Sequence, residues 1–390
     1  MSLRSCITKN DIKWLPYCYL EASYKRFRGL KDCGHEVVCL GAKDSTAKYC
    51  RFVDRFIAES VEDLTVLALK EFIQRSNIDV VIPTEDEYAL WLSHNKNAIE
   101  NEIPVKCAVE GPEKLEMVLN KTTLLNFCQL HGIPHPRTVR LSEQNLKEAG
   151  SYVGFPALIK PSVSNGARGI TLVQNEKELA NLAPTVVKEF GECALQEYLN
   201  KQKHYFNGML YRYSDGTFSS SVVTRISRFY PIKGGSSSYC TTIENPQIIQ
   251  MCQQLLNELG WMGFADFDIL ENEEGDYRII EINPRVPASV HAAYVSGINF
   301  GQIIMADELS LPRPTMVYTP GKHLRYLGLD IAWFVASPER FRHHWFKFFN
   351  ADLHYQEGGV KDWKAMCFSM YKGIKKQLSP SFRNSKRGMN

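Results

Sequence analysis

Two segments in which side chains alternate between the two faces of a strand, Phe264–Leu270 and Tyr277–Asn283, constrain the fold more than any other feature. Between them lies a short acidic turn that contains Gly275. Alternation with a period of two, interrupted by such a turn, predicts a β-hairpin. Pro284 ends the second strand because proline cannot donate to a ladder of hydrogen bonds. Arg285 follows at the strand exit.

The predicted hairpin carries oxygen ligands on one side. Asp268 lies on one face of the first strand, and we expect Glu281 and Asn283 to share one face of the second strand with Ile279. Mg²⁺ binds one or two carboxylates and takes its remaining oxygens from phosphates and water, so these residues suit a magnesium site. A surface hairpin with its polar face in water is the alternative, and the hairpin alone does not decide between them.

A lysine at the end of an apolar strand is the second informative feature. Lys160 is the last residue before Pro161 in the apolar run Gly154–Pro161, and a buried ammonium group is costly unless an anion pairs with it. The loop that follows, Asn165-Gly166-Ala167-Arg168-Gly169, is rich in glycine and can bring backbone N–H groups close to phosphate oxygens. A glycine turn alone is commonly just a hairpin. Next to Lys160, phosphate binding is the better interpretation.

The first 110 residues alternate apolar strands with helical patterns. Glu36–Gly41 and Asp79–Pro83 read as buried strands, and Val61–Arg75 has the period of a helix. This rhythm predicts a parallel sheet with helices on both faces. Glu85 and Asp86 follow the second strand, where such sheets bind ligands. We prefer the simpler interpretation that they open the next helix near its positive end. No G-x-G-x-x-G motif argues for a dinucleotide.

Length and composition limit the class of protein. A chain of 390 residues predicts two or three domains. The 44% hydrophobic and 23% charged residues are typical of a globular protein, and a net charge of +3 gives no argument for nucleic acid. Eleven cysteines without a C-x-x-C pair fit reduced thiols. With no apparent secretory signal or membrane span, we expect a cytoplasmic protein.

The middle of the chain supplies further predicted elements. Lys114–Leu130 has the apolar spacing of one helix, with Lys121 inside it, and Val186–Glu189 reads as a short strand. Arg228 and Lys233 border a run of small residues at 234–238. This run could close over an anionic ligand or could be a surface connection.

The C-terminal segment from Pro312 differs in character from the rest. Residues 339–350 are dense in aromatic and basic side chains and read as a helix, and the tail from Lys364 carries bases without acids. Such a segment can dock on a membrane surface. A helix packed on a domain, followed by a solvated end, is the simpler alternative.

Taken in order, the motifs resemble the ATP-grasp superfamily of ligases, which includes biotin carboxylase, carbamoyl phosphate synthetase and D-alanine–D-alanine ligase. The resemblance covers about residues 30–310 and is most specific in the strand acid Asp268 and the sequence Glu281-Ile282-Asn283-Pro284-Arg285. It implies an α/β fold in which an N-terminal parallel-sheet pre-ATP-grasp domain at 1–110 precedes a two-lobed grasp domain. The lobes would span 111–195 and 196–312, and a helical extension with a basic tail would span 313–390.

The resemblance also implies a role for each matching residue. ATP would be bound by Lys121, Lys160, Asn165, Gly166, Ala167, Arg168, Gly169, Gln196, Glu197, Tyr198, Leu199 and His204. Asp268, Glu281 and Asn283 would hold Mg²⁺, as two ions, with Mn²⁺ as a substitute. Arg285, Lys233 and Arg228 would act on the transferring phosphoryl group.

The implied function is an ATP-dependent carboxylate–amine ligase on a small molecule, peptide or sugar acid, compatible with a homodimer. A phosphotransferase on the same scaffold and a non-catalytic nucleotide-binding protein are the alternatives. Phosphoryl transfer depends on positioning and on neutralising phosphate oxygens, which fits the absence of a recognisable nucleophile motif from the sequence.

Overall fold

A computed structural model of the protein describes residues 28–58, 65–163, 169–199, 204–232, 236–342, 345–346, 350–356 and 363–371, with the backbone alone at 13–17 and 372–378. Within these residues the strands form three sheets of five, four and seven strands. The mixed α/β architecture with a parallel N-terminal sheet confirms the predicted fold class.

The N-terminal sheet is parallel throughout, in the order β3-β2-β1-β4-β5. Its strands are β1 Lys13–Tyr17, β2 Glu36–Gly41, β3 Arg55–Ala58, β4 Val80–Pro83 and β5 Lys106–Cys107, and its helices are α1 Arg28–Asp32, α2 Val66–Ser76 and α3 Asp86–Glu100. Val37 and Cys39 pack toward the C-terminal part of the chain, whereas Val38 and Leu40 pack among residues of α2 and α3. Both faces are therefore buried, as expected for a parallel sheet.

The segment predicted as one helix at Lys114–Leu130 is two helices. They are α4 Pro112–Leu119 and α5 Lys121–Leu130. Asn120 lies between them with φ −85° and ψ 103°, and its side-chain oxygen accepts a hydrogen bond from the Thr123 backbone N–H at 3.1 Å. The asparagine thus caps the second helix. Lys121 is consequently the first residue of α5 rather than a residue inside a helix.

A four-stranded antiparallel sheet follows, in the order β6-β9-β7-β8. Its elements are β6 Thr138–Arg140, α6 Leu146–Val153, β7 Ala157–Pro161, β8 Thr171–Val173, α7 Glu176–Phe190 and β9 Cys193–Glu197. The predicted strand at Val186–Glu189 is wrong, because these residues belong to α7. Asn175 caps that helix, and Leu179, Ala183 and Val186 bury one helical face.

The largest sheet has the order β14-β13-β10-β11-β12-β15-β16. Its strands are β10 Tyr205–Arg212, β11 Val222–Tyr230, β12 Ser236–Ile243, β13 Gly263–Glu271, β14 Tyr277–Asn283, β15 His323–Arg325 and β16 Leu353–Tyr355. The helices of this part are α8 Pro246–Glu258, α9 Val290–Val295, α10 Phe300–Glu308, α11 Leu327–Ala336 and α12 Trp363–Leu378. The sheet therefore continues into the segment predicted as an extension, past the predicted boundary at residue 312.

The predicted hairpin is present as β13 and β14, with one departure. Asp268 pairs with Glu281, but the next pair is Ile269 with Ile279, so Ile280 is an extra residue in β14. Because this β-bulge adds one residue, the side chains of the residues before it in β14 lie on the opposite face from the one that simple alternation predicts. Ile279 packs in the apolar core beside Ile282, and the prediction that Ile279 shares a face with Glu281 is wrong.

The C-terminal segment also departs from the sequence pattern. The described residues of 339–350 form turns, not the predicted aromatic helix, while helices lie on either side of them as α11 and α12. Phe334 packs against Phe341, Trp345 and Phe346 at ring centroid distances of 4.4 to 5.7 Å. A search of the described residues finds no helix long and apolar enough to cross a membrane.

Candidate ATP and metal site

Two carboxylates face each other at the centre of the candidate site. Asp268 on β13 lies opposite Glu281 on β14, and Asp266 lies opposite Asn283 one step further along. Glu281 and Asn283 face the same side by simple alternation, and the bulge at Ile280 lets Ile279 stay in the core on the opposite side. The structure therefore brings the three predicted metal ligands, Asp268, Glu281 and Asn283, to one end of the hairpin.

Lys121, the first residue of α5, approaches this pair. Its ammonium nitrogen lies 3.2 Å from Oε2 of Glu281. The start of α5 is held against the end of β7, because the Lys121 backbone N–H donates to the Ser162 carbonyl at 2.8 Å and the hydroxyls of Thr122 and Ser162 lie 2.6 Å apart. The break at Asn120 thus turns Lys121 toward the acidic pair.

Lys160 is the second cation of the site. It is half-buried on β7 and donates a hydrogen bond to the side-chain oxygen of Gln196 on β9. The Gln196 amide donates in turn to the Thr138 hydroxyl at 3.2 Å, which fixes its orientation. The charge of Lys160 also lowers the pKa of Glu281. Lys160 and Lys121 therefore act electrostatically on the same carboxylate.

The pKa values of the two members of the acidic pair are shifted in opposite directions. Burial and the charge of Glu281 raise the pKa of Asp268 well above its usual range. Burial would also raise the pKa of Glu281, but Lys121, a hydrogen bond from Asp268 and Lys160 lower it to about 2. Asn207 on β10 also donates a hydrogen bond to Asp268. The surroundings therefore favour the charged form of Glu281 and disfavour the charged form of Asp268.

Arg285 joins the N-terminal domain to this site. Its Nε lies 3.3 Å from Oδ1 of Asp86 at the start of α3, and its guanidinium donates to the Asn283 side-chain oxygen at 3.4 Å. Burial would lower the pKa of Arg285, but Asp86, Asp266 and other nearby carboxylates raise it. Asp86 opens α3 as the sequence predicts, and it also contacts Arg285, which the sequence did not indicate.

The donor set fits a magnesium ion that is completed by a nucleotide. Asp268 and Glu281 offer carboxylate oxygens and Asn283 an amide oxygen, which are ligands that Mg²⁺ accepts. Within the described part of the chain, no three side chains of His, Cys, Asp or Glu form a ready-made metal cage. A site with so few acids leaves coordination positions for phosphate oxygens, as is usual for Mg²⁺.

The strand end predicted to bind adenine is the C-terminal end of β9 in the four-stranded sheet. The Glu197 backbone N–H donates to the Arg137 carbonyl at 2.8 Å, and the Glu197 carboxylate accepts from the Arg137 N–H at 3.1 Å. Leu199 packs with Tyr205 and Leu270 in a small apolar cluster. Tyr198 at this strand end is exposed.

His204 lies beside the same strand end. Its Nδ1 lies 2.7 Å from the Glu271 carboxylate. The roles of His204 and of Glu197, Tyr198 and Leu199 in reading adenine stay predictions.

Arg228 does not join the other predicted site residues. It is 3% exposed, and its Nε lies 2.8 Å from Oδ1 of Asp330, which Arg325 also contacts at 3.0 Å. Its guanidinium stacks over the ring of Tyr239 at 3.9 Å. A guanidinium enclosed in this way is committed to packing, so we withdraw the catalytic role for Arg228.

Some predicted residues fall outside the described part of the chain. These are Asn165, Gly166, Ala167, Arg168 and Lys233. Gly169 is described and has φ +72°, and a Cβ there would lie 2.8 Å from the Pro161 ring. Glycine is therefore required where the predicted phosphate loop rejoins the sheet.

Sequence reasoning missed several polar neighbours of the pair. Asn207 and Tyr205 reach Asp268 from β10, and their alternation along that strand was a usable signal once its pairing with β13 was known. Asp266 shares the face of Asp268 by simple alternation. Thr122 and Ser162 gave no signal, because their contact joins residues 40 positions apart.

Comparison with known proteins agrees with this geometry. Residues 122–305 match the family model "Carbamoyl-phosphate synthase L chain, ATP binding domain". The N5-carboxyaminoimidazole synthetase of Staphylococcus aureus, solved with ADP, superposes with a TM-score of 0.66 at 16% identity, over 83% of this chain and 84% of that one. The chain has the ATP-grasp fold. This confirms the resemblance inferred from the ordered motifs.

Two curated relatives extend the comparison. The carbamoyl phosphate synthase large chain of Thermoplasma acidophilum is 23% identical over 67% of this chain and 26% of its own length. The D-aspartate ligase of Enterococcus faecium is 22% identical over 64% of this chain and 63% of its own. This chain thus spans about a quarter of the length of the first relative and less than two thirds of the length of the second.

Proposed function

We propose that this protein is an ATP- and Mg²⁺-dependent ligase that activates a carboxylate as an acyl phosphate and joins it to an amine or a similar nucleophile. The observation that carries the proposal is the single cluster in which Lys121, Glu281 and Asp268 meet beside Lys160 and Arg285. Two lysines and an arginine around a carboxylate pair suit a polyphosphate with its metal.

The reaction would have two displacement steps. In the first, a carboxylate oxygen of the substrate attacks the γ-phosphorus of ATP, and the bond to the ADP oxygen breaks. In the second, the amine nitrogen attacks the acyl carbon, the bond to the phosphate oxygen breaks, and the amine proton passes to solvent. Lys121 and Lys160 would hold the α- and β-phosphates through both steps, since their ammonium groups neutralise charge without covalent chemistry.

The acidic pair would hold the metal. Asp268, Glu281 and Asn283 would bind Mg²⁺ as two ions, with Mn²⁺ as a substitute, and bound Mg²⁺ neutralises the phosphate oxygens. Because the raised pKa of Asp268 favours its protonated form, a proton would compete with a metal ion for the same oxygens. Metal affinity should therefore rise with pH.

Arg285 would act at the substrate side. Its guanidinium carries a fixed charge, and Asp86 and Asn283 hold it at the end of β14. A guanidinium in this position can neutralise the transferring phosphoryl group or the carboxylate that receives it. Asp86 would act as a positioning residue, because it contacts Arg285 rather than the reacting atoms.

The direct test is product analysis with Mg-ATP and mixtures of candidate acids and amines. We expect ADP, phosphate and an amide in equal amounts from the full chain, and none from Glu281→Gln. Glu189→Gln, an exposed acid on α7, is the matched control. A stable phosphorylated acid would favour the phosphotransferase alternative, and ATP binding without turnover would favour the non-catalytic one.

The C-terminal helix supports a proposal about a membrane partner. Trp363, Cys367 and Tyr371 are exposed at successive helical turns of α12, beside the exposed Lys364. Aromatic and basic side chains on one helical face suit an anionic membrane surface. The unaltered protein should sediment together with phosphatidylglycerol vesicles, and the Trp363→Glu variant should stay in the supernatant. Equal sedimentation of this variant and of the unaltered protein would contradict the proposed membrane contact.

The homodimer stays a prediction, which a measurement of molar mass in solution would test.

A further inference from the structure

A cavity of about 370 Å³ lies between the N-terminal sheet and the large sheet. Pro83 and Lys106 line it from the N-terminal side, and Phe264, Arg285 and Glu308 line it from the other. Its volume lies in the range of sites that enclose small molecules. Clefts between domains are also a common place for such sites.

The cavity continues the line of the proposed nucleotide site. Along β13 the order is Leu270, which packs in one cluster with Leu199 of the segment predicted to read adenine, then Asp268 at the metal site, then Asp266, and finally Phe264 at the cavity. With a rise of about 3.4 Å per residue, Phe264 lies roughly 14 Å along the strand from Asp268. Arg285 belongs to both places, because it contacts Asn283 and lines the cavity. The cavity therefore begins where the proposed phosphate site ends.

The cavity wall carries charges of both signs, and several are already used within the protein. Glu110 accepts hydrogen bonds from the backbone N–H groups of Gly111 at 2.8 Å and Met262 at 2.7 Å. Asp307 accepts one from the Tyr211 hydroxyl at 3.0 Å. Lys96 donates to the Val109 carbonyl at 2.9 Å. These contacts fix the wall and leave little capacity for a ligand.

Glu308 and Lys106 differ from these residues. Across the described residues, the side chain of neither makes a hydrogen bond or ion pair within 4 Å. Glu308 is partly buried, and burial raises its pKa although Lys96 and Lys106 lower it. Withdrawing a carboxylate from water is costly, and Lys96 and Lys106 offset only part of that cost for Glu308, so an ammonium group from a ligand would offset more of it. Lys106 is exposed and can meet an anion at the cavity rim.

We infer that this cavity binds a zwitterionic small molecule, an α-amino acid or short peptide, with its ammonium group at Glu308 and its carboxylate at Lys106. The inference deepens the proposed ligase function, on which it rests, by naming the chemical class of one substrate. A molecule held at these two charges presents its remaining part to Arg285. The apolar wall at Phe264 would pack against its carbon atoms.

The test is calorimetry on the full chain without ATP, using glycine, L-alanine, L-glutamate and glycylglycine as probes. Propionate and propylamine each carry one of the two charges. We expect at least one zwitterion to bind at least tenfold more tightly than either singly charged analogue. Glu308→Gln should weaken the zwitterion at least tenfold and leave propionate unchanged. Lys106→Met should weaken the zwitterion and leave propylamine unchanged.

Controls separate this inference from the proposed function. Glu189→Gln and Lys188→Met, both exposed on α7, should bind the zwitterion as the unaltered protein does. The thermal midpoint and nucleotide affinity of each variant report on folding. Equal affinity for zwitterions and singly charged analogues, or equal losses for glycine and propionate in Glu308→Gln, would overturn the inference. If the unaltered chain does not bind Mg-ATP, the proposed function is overturned instead.

Discussion

Replacing Lys121 by methionine removes the charge that lies 3.2 Å from Glu281 while keeping a side chain of similar length. The pKa of Glu281 is about 2 against an ordinary value of 4.5. One pKa unit corresponds to about 1.4 kcal/mol, so the protein stabilises the charged form of Glu281 by about 3 kcal/mol. Lys121 shares this effect with Asp268 and Lys160, and we expect Lys121→Met to cost about 1 to 2 kcal/mol of unfolding free energy.

The sign of the effect fixes its pH dependence. A carboxyl whose pKa is lowered in the folded state stabilises the protein above its ordinary pKa, and this stabilisation is lost as pH falls through the folded value. The difference in unfolding free energy between the unaltered protein and Lys121→Met should therefore be constant from pH 6 to 8. It should shrink below about pH 4.5, as the stabilisation of Glu281 declines toward its folded pKa of about 2.

Urea unfolding followed by tryptophan fluorescence measures these differences. A double-mutant cycle with Glu281→Gln isolates the interaction between the two side chains. Lys188→Met, an exposed lysine on α7, is the control and should unfold like the unaltered protein. The reasoning is refuted if Lys121→Met costs the same free energy in the Glu281→Gln background as in the unaltered protein.

Three further predictions concern single residues. Asp268→Asn should abolish ATP turnover yet raise the urea midpoint at pH 8. The midpoint should rise because the raised pKa of Asp268 means that its charged form is disfavoured in the folded state. An unchanged midpoint would contradict this reasoning. Lys160→Met should raise the KM for ATP at least tenfold in steady-state kinetics, whereas an unchanged KM would remove Lys160 from the site. Arg228→Met should cost about 3 to 5 kcal/mol in urea unfolding by leaving Asp330 buried without one partner, and exposed Arg342→Met should cost little.

The ligand pattern was predictable from sequence because it depends on local periodicity. The period-two alternation predicts on which face of its strand Asp268 lies, and Pro284 marks where β14 ends. The bulge at Ile280 was not predictable, since it depends on how β14 pairs with β13. It is nevertheless the feature that allows Ile279 and Glu281 to face opposite sides.

Contacts between distant parts of the chain account for most of the remaining errors. Arg228 resembled an anion-binding residue beside a small-residue loop, but its partner Asp330 lies 102 positions later and nothing local indicates the pair. Asp86 meets Arg285 across the domain boundary in the same way. The break at Asn120 differs, because asparagine is a preferred N-cap and its signal was present.

Equilibrium binding of ATP with and without Mg²⁺ tests the central claim most directly. We predict that the unaltered protein binds ATP more tightly when Mg²⁺ is present, because Asp268 and Glu281 would hold the ion against the phosphates. Glu281→Gln should lose this dependence on Mg²⁺, while the exposed control Glu189→Gln retains it. Equal dependence on Mg²⁺ in Glu281→Gln and in the unaltered protein would contradict the assignment of the site.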